Sequence, residues 1–157
     1  MWRCPDCGQT FVTRNMPHSC QVTDLDEHFT NSEPAVRAAF DALLGVLNQL
    51  GPITVNATKS RISFQARMRF AAVERPRRRH LNLHLILTRP LESERFTRVE
   101  FLAPYYHLHR FKLEGPEDVD DELKRWLAEA YQVGLQRHVT DPEWPKVRVP
   151  GAAPRSP

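Results

Sequence analysis

Cys4, Cys7, His18 and Cys20 follow the spacing C-x2-C-x10-H-x-C, and they include all three cysteines of the 157-residue chain. Thiolates and imidazole suit a borderline-soft ion such as Zn2+, and four protein donors complete its tetrahedron. The two residues between the first cysteines let one tight turn present both sulfurs, with Gly8 tolerating the backbone such a turn imposes. Trp2 and Phe11 are candidates for a small apolar cap. A disulfide or free thiols are the alternatives. An odd cysteine count and the lack of an apolar leader before Cys4 speak against disulfides. A four-ligand set leaves no position for substrate, so the zinc is expected to be structural. With the thiols so committed, cysteine catalysis is not expected.

Other chemistry is sparser. His80 and His84 share one face of a predicted strand, but about 13 Å separates residues four apart on a straight strand. One ion cannot join them without His107 or His109 from a neighbour, and a solvated polar face is the simpler reading. Glu122-Leu123-Lys124 matches half of a metal-dependent nuclease signature, yet it lies in a stretch of helical periodicity rather than on adjoining strands. No serine elbow and no glycine-rich phosphate loop is present. An enzyme is therefore not the leading expectation.

The remaining candidates are cations. Residues 52–113 carry 13 Lys and Arg against four Asp and Glu. The flanks are acidic: one against five in residues 21–51, and three against seven in residues 114–138. Such a field attracts anionic partners, or the basic and acidic parts offset each other inside the fold. Lys59, Arg61, Arg67, Arg69 and the run Arg77-Arg78-Arg79 could grip phosphates, and Tyr105, Tyr106 or Phe70 could stack on bases. Core packing of the aromatics and a solvated hairpin tip are the competing readings.

The elements that must position these residues are legible from periodicity. In His80–Leu87 the leucines alternate with His80, Asn82 and His84, the period of a strand with one buried face. Further strands are predicted at Ile53–Asn56, Arg61–Arg67, Phe70–Glu74, Thr97–Leu102 and Tyr105–Leu113. Short joints imply mainly antiparallel neighbours. Arg61, Ser63, Gln65, His80, Asn82 and His84, with Arg98 and Glu100, are expected on the open face. The last strand has no clear side: Tyr105, His107, His109 and Phe111 share one face, and Tyr106, Leu108 and Arg110 the other. A short helical turn is expected at Asp24–Phe29. Ser32-Glu33-Pro34 predicts a helix start with a capping hydroxyl, and Val36 to Leu50 carry an apolar stripe ended by Gly51-Pro52. A second helix is expected to open at Glu117 and to close near Arg137 and His138, whose charges would complement its dipole. From Asp141 the chain is proline-rich and reads as a poorly ordered tail. The expected units are a zinc knuckle at 1–22, an α+β domain at 23–139 and a tail at 140–157.

Apolar residues make up 41% of the chain and charged residues 26%, which places it among globular domains. No apolar run approaches the roughly 20 residues of a membrane span, and a cytoplasmic protein is the default expectation. Trp2-Arg3-Cys4-Pro5-x-Cys7-Gly8 with His18-Ser19-Cys20, then Thr58-Lys59-x-x-Ile62-x-Phe64, Arg69-Phe70-Ala71, Tyr106-His107 and Trp126-Leu127-x-Glu129-Ala130-Tyr131, resemble a bacterial family filed as domain of unknown function 5655. The likeness runs from about Asp24 to His138, with the knuckle as an N-terminal attachment. It implies a compact α+β domain and no established activity; relatives joined to nuclease-like regions tilt the expectation toward nucleic acid. It also singles out Lys59, Arg69 and His107 as pattern residues that core packing does not explain.

The expected fold is thus α+β, a mainly antiparallel sheet covered on one face by two helices, with a small zinc knuckle. The leading functional expectation is a non-enzymatic zinc-containing module that binds nucleic acid or another polyanion through the basic sheet face. A small anionic ligand held by Lys59, Arg69 and His107, and a protein-interaction adaptor, are the alternatives.

Overall fold

A computed structural model describes residues 1–11, 13–18, 20 and 23–144. The N-terminal strands β1 (Trp2–Arg3) and β2 (Thr10–Phe11) form a small hairpin. Helices α1 (Leu25–His28) and α2 (Pro34–Leu50) follow. Then come strands β3 (Thr54–Thr58), β4 (Arg61–Gln65), β5 (Arg69–Glu74), β6 (Leu81–Leu87), β7 (Phe96–Leu102) and β8 (Tyr106–Leu113). Helices α3 (Asp121–Gly134) and α4 (Arg137–Thr140) close the described chain. The six later strands make one antiparallel sheet in the order β3-β4-β5-β6-β8-β7. The fold is α+β, with the expected helical cover on one face.

Alternation sets the two faces. Phe64 pairs with Ala71, Ala71 with Leu85 and Leu85 with His109; Ile62, Val73, Leu83 and Phe111 form the adjacent rung. These side chains are buried beneath α2 and α3. Val36, Ala39, Phe40, Leu43 and Leu47 recur at helical spacing and fill the α2 side. Leu123, Leu127, Ala130 and Tyr131 do the same for α3. Phe64, fully buried, packs its ring 6.2 Å from Phe40 and joins sheet to helix. Phe64→Ala is expected to cost about 3–5 kcal/mol, the price of a large cavity in a closed core. Urea unfolding that shifts by less than about 1 kcal/mol would show a core loose enough to refill the space.

Three helix ends differ from expectation. Ser32 does not cap α2. Its hydroxyl donates to the Arg77 carbonyl at 2.9 Å, and the Glu33 N–H donates to the Arg78 carbonyl at 2.8 Å. The helix entrance is therefore tied to the β5–β6 hairpin, and Glu33 stands at the N-cap with no side-chain bond. Likewise the second long helix begins at Asp121, after a 3-10 turn over Pro116–Asp118, with the Asp120 carboxylate accepting from the Leu123 N–H at 3.0 Å. It stops at Gly134, because Gln136 takes a left-handed conformation (φ 61°), and Arg137 and His138 belong to the separate α4. They do not complement the α3 dipole. At the other end of α2, Gly51 has φ 146°, and a side chain there would run into the Tyr131 hydroxyl.

Strand limits shift by a residue or more: β3 runs on to Thr58, whereas β4 stops at Gln65 after a bulge at Phe64/Gln65. The Arg67 and Met68 N–H groups instead donate to the Gly134 carbonyl, both at 2.9 Å, clamping the β4–β5 turn to α3. Register settles the last strand: His107, His109 and Phe111 share the leucine face. Residues 88–95 cross β8 on that face, where the Leu91 N–H donates to His109 Nε2 at 2.9 Å. Of the expected tail, Trp144 is anchored by its indole N–H donating to Thr88 Oγ1 at 3.1 Å. The rest, residues 145–157, lies outside the described residues.

Candidate metal centre and basic cleft

The four N-terminal ligand atoms converge. The Cys4, Cys7 and Cys20 sulfurs and a His18 ring nitrogen all lie within 4.8 Å of one another. Cys4 Sγ is 3.8 Å from Cys20 Sγ, and His18 Nε2 is 3.3 Å from Cys7 Sγ and 3.4 Å from Cys20 Sγ. The turn that presents the first pair is closed by the Gly8 N–H donating to the Cys4 carbonyl at 2.9 Å, with Gly8 at φ 74°. Phe11 lies 4.3 Å from the His18 ring and Trp2 lies 5.9 Å from Phe11, forming the apolar cap.

His18 Nδ1 sits 2.6 Å from the Met16 carbonyl, so its N–H donates there and Nε2 is turned toward the sulfurs. That bond, aided by the neighbouring thiols, raises the His18 pKa to about 9. The Cys7 backbone N–H lowers the Cys4 pKa to about 7, while lost solvation beside the other two sulfurs pushes Cys20 up to about 12. Three crowded thiols and an imidazole aimed at one point form a Cys3His group that could hold a metal ion.

This knuckle rests on the open face of the sheet. Gln65 of β4 donates its side-chain amide to the Thr10 carbonyl of β2. Between them lies a cleft of about 600 Å³. Phe11, Met16 and Pro17 form its knuckle wall, and Asn56, Ser63, Arg61 and Arg69 part of its sheet wall. The open-face rung runs Asn56, Ser63, Ala72, His84, Arg110, Arg98 across six strands. Arg61, Ser63, Gln65, Asn82, His84, Arg98 and Glu100 thus all take the side that alternation assigns them.

The cations divide into two populations. Arg89 pairs with Glu129 at 2.7 Å, Arg95 with Asp120 at 2.9 Å, and Arg110 with Glu74 and Glu100. Arg78 and Arg79 lie 4.0 and 3.5 Å from Glu33, on the helix side at the β5–β6 hairpin. Arg89 and Arg95 thus offset acidic residues of α3 and its N-cap, while Arg110 is offset within the sheet. Among the described residues, Arg3, Arg14, Arg77, Lys112, Arg125 and Arg137 are scattered without an ion pair, whereas Lys59, Arg61, Arg67, Arg69 and Arg75, also without one, gather around β4 and its two turns. Arg69 reaches solvent, yet its pKa is lowered, first by partial loss of solvation and then by repulsion from Arg61.

His84 lies under this cluster. It is 3% exposed, its Nδ1 has no hydrogen-bond partner, and burial followed by Arg61, Arg69 and Arg110 lowers its pKa to about 3. It is a neutral imidazole in a cationic field, lining a recess of about 210 Å³ with Asn82, Thr97, Glu74 and Arg110. His107 is elsewhere. Its register partner is Leu87, and its ring lies 5.4 Å from Phe101 on the helix side, so the sheet separates it from Arg69, while Lys59 lies in the turn between β3 and β4. The three residues singled out by resemblance are not assembled around one point. Among the candidate stacking residues, Phe70 is buried against Tyr131, and the Tyr106 hydroxyl bonds His138 Nε2 at 2.9 Å. Tyr105 is exposed beside Tyr106, their rings 4.8 Å apart. Met68 and Ile86 link that pair to the cleft: both line it, and Met68 Sδ lies 3.8 Å from the Tyr106 hydroxyl. The docking of knuckle on sheet left no sequence signal, because a backbone carbonyl and one glutamine make its hydrogen bond.

An antiparallel sheet under two helices, with a Cys3His group that could hold a metal seated on the uncovered face, defines a small α+β protein. Residues 25–134 match the family described as Domain of unknown function (DUF5655), and the chain belongs to that family. The Cys3His group precedes the matched segment. No curated protein and no solved structure matched the chain. Among the described residues, no helix is long and apolar enough to cross a membrane.

Proposed function

We propose that this protein is a non-enzymatic, zinc-containing module that binds single-stranded nucleic acid in the cleft between knuckle and sheet. The carrying observation is the unpaired cation cluster around Arg61 and Arg69, in a fold that pairs Arg89, Arg95 and Arg110 with carboxylates. Single-strand sites combine cations that track phosphates with apolar or aromatic surfaces that accept bases. The cleft offers both, with Phe11, Met16 and Met68 beside Arg61 and Arg69. Asn56, Ser63 and the Ser60 turn add hydrogen-bonding groups.

Zinc is the metal that best suits the donors. With Zn–S bonds of about 2.3 Å, two tetrahedral sulfurs stand about 3.8 Å apart, the spacing of Cys4 and Cys20. The group fits a structural ion that holds residues 1–22 as one wall of the site, carried by an α+β unit over 23–139. Three thiols kept for a metal suit a reducing compartment such as the cytoplasm.

The test is binding of the zinc-loaded protein to labelled single- and double-stranded DNA and RNA over a salt series. Arg61→Ala with Arg69→Ala should weaken single-strand binding at least about tenfold and make the log–log salt slope shallower by about 1.4, the loss of two phosphate contacts. Arg77, Arg78 and Arg79 changed together to Ala serve as the comparison, since that loop lies toward Glu33 and away from the cleft. No binding at low salt, or equal losses in both variants, would refute this site. A second reading rests on His84: its unpartnered nitrogen beside Arg110 suits a small anion in the recess. Competition by inorganic phosphate at micromolar concentration would favour it over a polymer.

A further inference from the structure

β7 is a sheet edge with an unusual surface. Among the described residues its one sheet neighbour is β8, and the only other backbone bond is from the Phe96 N–H to the Ser93 carbonyl. Edge strands invite pairing with another chain, and proteins blunt them with bulges, prolines, charges or cover. Here the first residue is covered, with Phe96 4.9 Å from the α3 Trp126 ring. Beyond it Val99, Phe101 and Leu102 are 40%, 61% and 38% exposed. Val99 and Phe101 point to the helix side but lie past the helices, while Arg98 and Glu100 alternate on the open side.

The sequence of β7 is self-complementary about Val99. If two copies pair antiparallel with Val99 opposite Val99, Arg98 falls opposite Glu100 of the second copy, and Glu100 opposite its Arg98. Opposite charges meet twice, and no like charges face each other directly. On the other side of the same ribbon, the two Val99 side chains meet with Phe101 diagonal to them, covering apolar surface that is open in the monomer. A two-fold axis requires such self-matching, since every contact of one residue with another is repeated in reverse and only the residue on the axis meets its own copy. Pairing in this register leaves the cleft and the knuckle free, because the cleft is lined from β3 to β6 and not by β7 or β8.

We infer that the protein forms a symmetric homodimer by antiparallel β7–β7 pairing centred on Val99, joining two six-stranded sheets into one. The partner is a second copy of this chain. Glu100 keeps its bond to Arg110 at 2.9 Å, and the exposed Arg98 is free to swing from its own Glu100 to that of the second copy.

Sedimentation equilibrium of the full chain across a concentration series tests this directly. The expected mass is twice 18.2 kDa at high concentration. Val99→Lys places like charges on the axis and should raise the dimer dissociation constant at least about tenfold. Arg98→Glu should do the same by setting carboxylates opposite one another. Both positions are solvent-exposed in the monomer, and unchanged thermal unfolding would confirm that each variant folds. Amide exchange of residues 98–102 should slow with rising concentration in the native chain only. A monomer at every concentration overturns the inference; so does a dimer indifferent to both substitutions, which would have to use another surface.

Discussion

Metal-loaded protein is expected to lose stability steeply as the pH falls below about 6.5, the ordinary histidine value. Burial lowers His109 to a pKa of about 4 and, with Arg61 next in importance, lowers His84 to about 3. Both imidazoles are neutral in the folded protein, whereas the unfolded chain protonates them near pH 6.5. The unfolded state then binds more protons, so stability declines as pH falls, down to about 4 for His109 and about 3 for His84, and is flat above 6.5. Each group contributes up to about 1.4 kcal/mol per pH unit within its window. Burial also lowers His80, His107 and His138, which act in the same direction. Urea unfolding at pH 7.5, 6 and 5 measures the slope. His84→Leu should remove its share of the slope at little cost at neutral pH, because Nδ1 has no partner to lose. A midpoint that does not move between pH 7 and 5 would show that these imidazoles are solvated or charged in the fold.

Cys4→Ser combined with Cys7→Ser should release the metal and unfold the first 20 residues while the sheet persists. A segment this short buries too little apolar surface to order itself without an ion. The sheet has its own core in Phe64, Leu83, Leu85 and Phe111 beneath two helices, and none of those contacts involves the knuckle. Metal analysis, near-ultraviolet signals from Trp2 and amide exchange separate the two events. The same variant removes one wall of the cleft and should weaken single-strand binding even though Arg61 and Arg69 remain. Loss of cooperative unfolding by the sheet itself, or native protein free of metal, would contradict this picture.

The faces of the sheet were legible wherever polar and apolar residues alternated without exception. In β6 every second residue is a leucine, so Asn82 and His84 had to face the open side. β8 defeated the same logic because each face carries both kinds: His107, His109 and Phe111 against Tyr106, Leu108 and Arg110. His109 is admitted to the buried face because both its nitrogens are used, Nε2 by the Leu91 N–H and Nδ1 by the His107 carbonyl at 3.1 Å. Neither partner has a sequence signature. The Cys3His group was readable from spacing alone, since four ligand residues in a short segment have few other uses. The cleft was not. Its sheet wall follows from alternation, but which arginines stay free depends on where Glu33, Glu74, Glu129 and Asp120 come to lie, and that is a property of the assembled fold.

The order of strands also imposes a schedule on folding. β7 precedes β8 in the chain yet has no place in the sheet until β8 has docked on β6. While the chain is being made, Phe96, Val99 and Phe101 must wait unpaired until residue 113 is available, and a connection of eight residues has to pass over the strand inserted between β6 and β7. Contacts of this kind raise contact order and postpone the reward for closing the loop. β7 and β8 are joined closely enough to pair as a hairpin, so the dimer-forming edge enters the six-stranded sheet only as part of that hairpin, when β8 docks on β6.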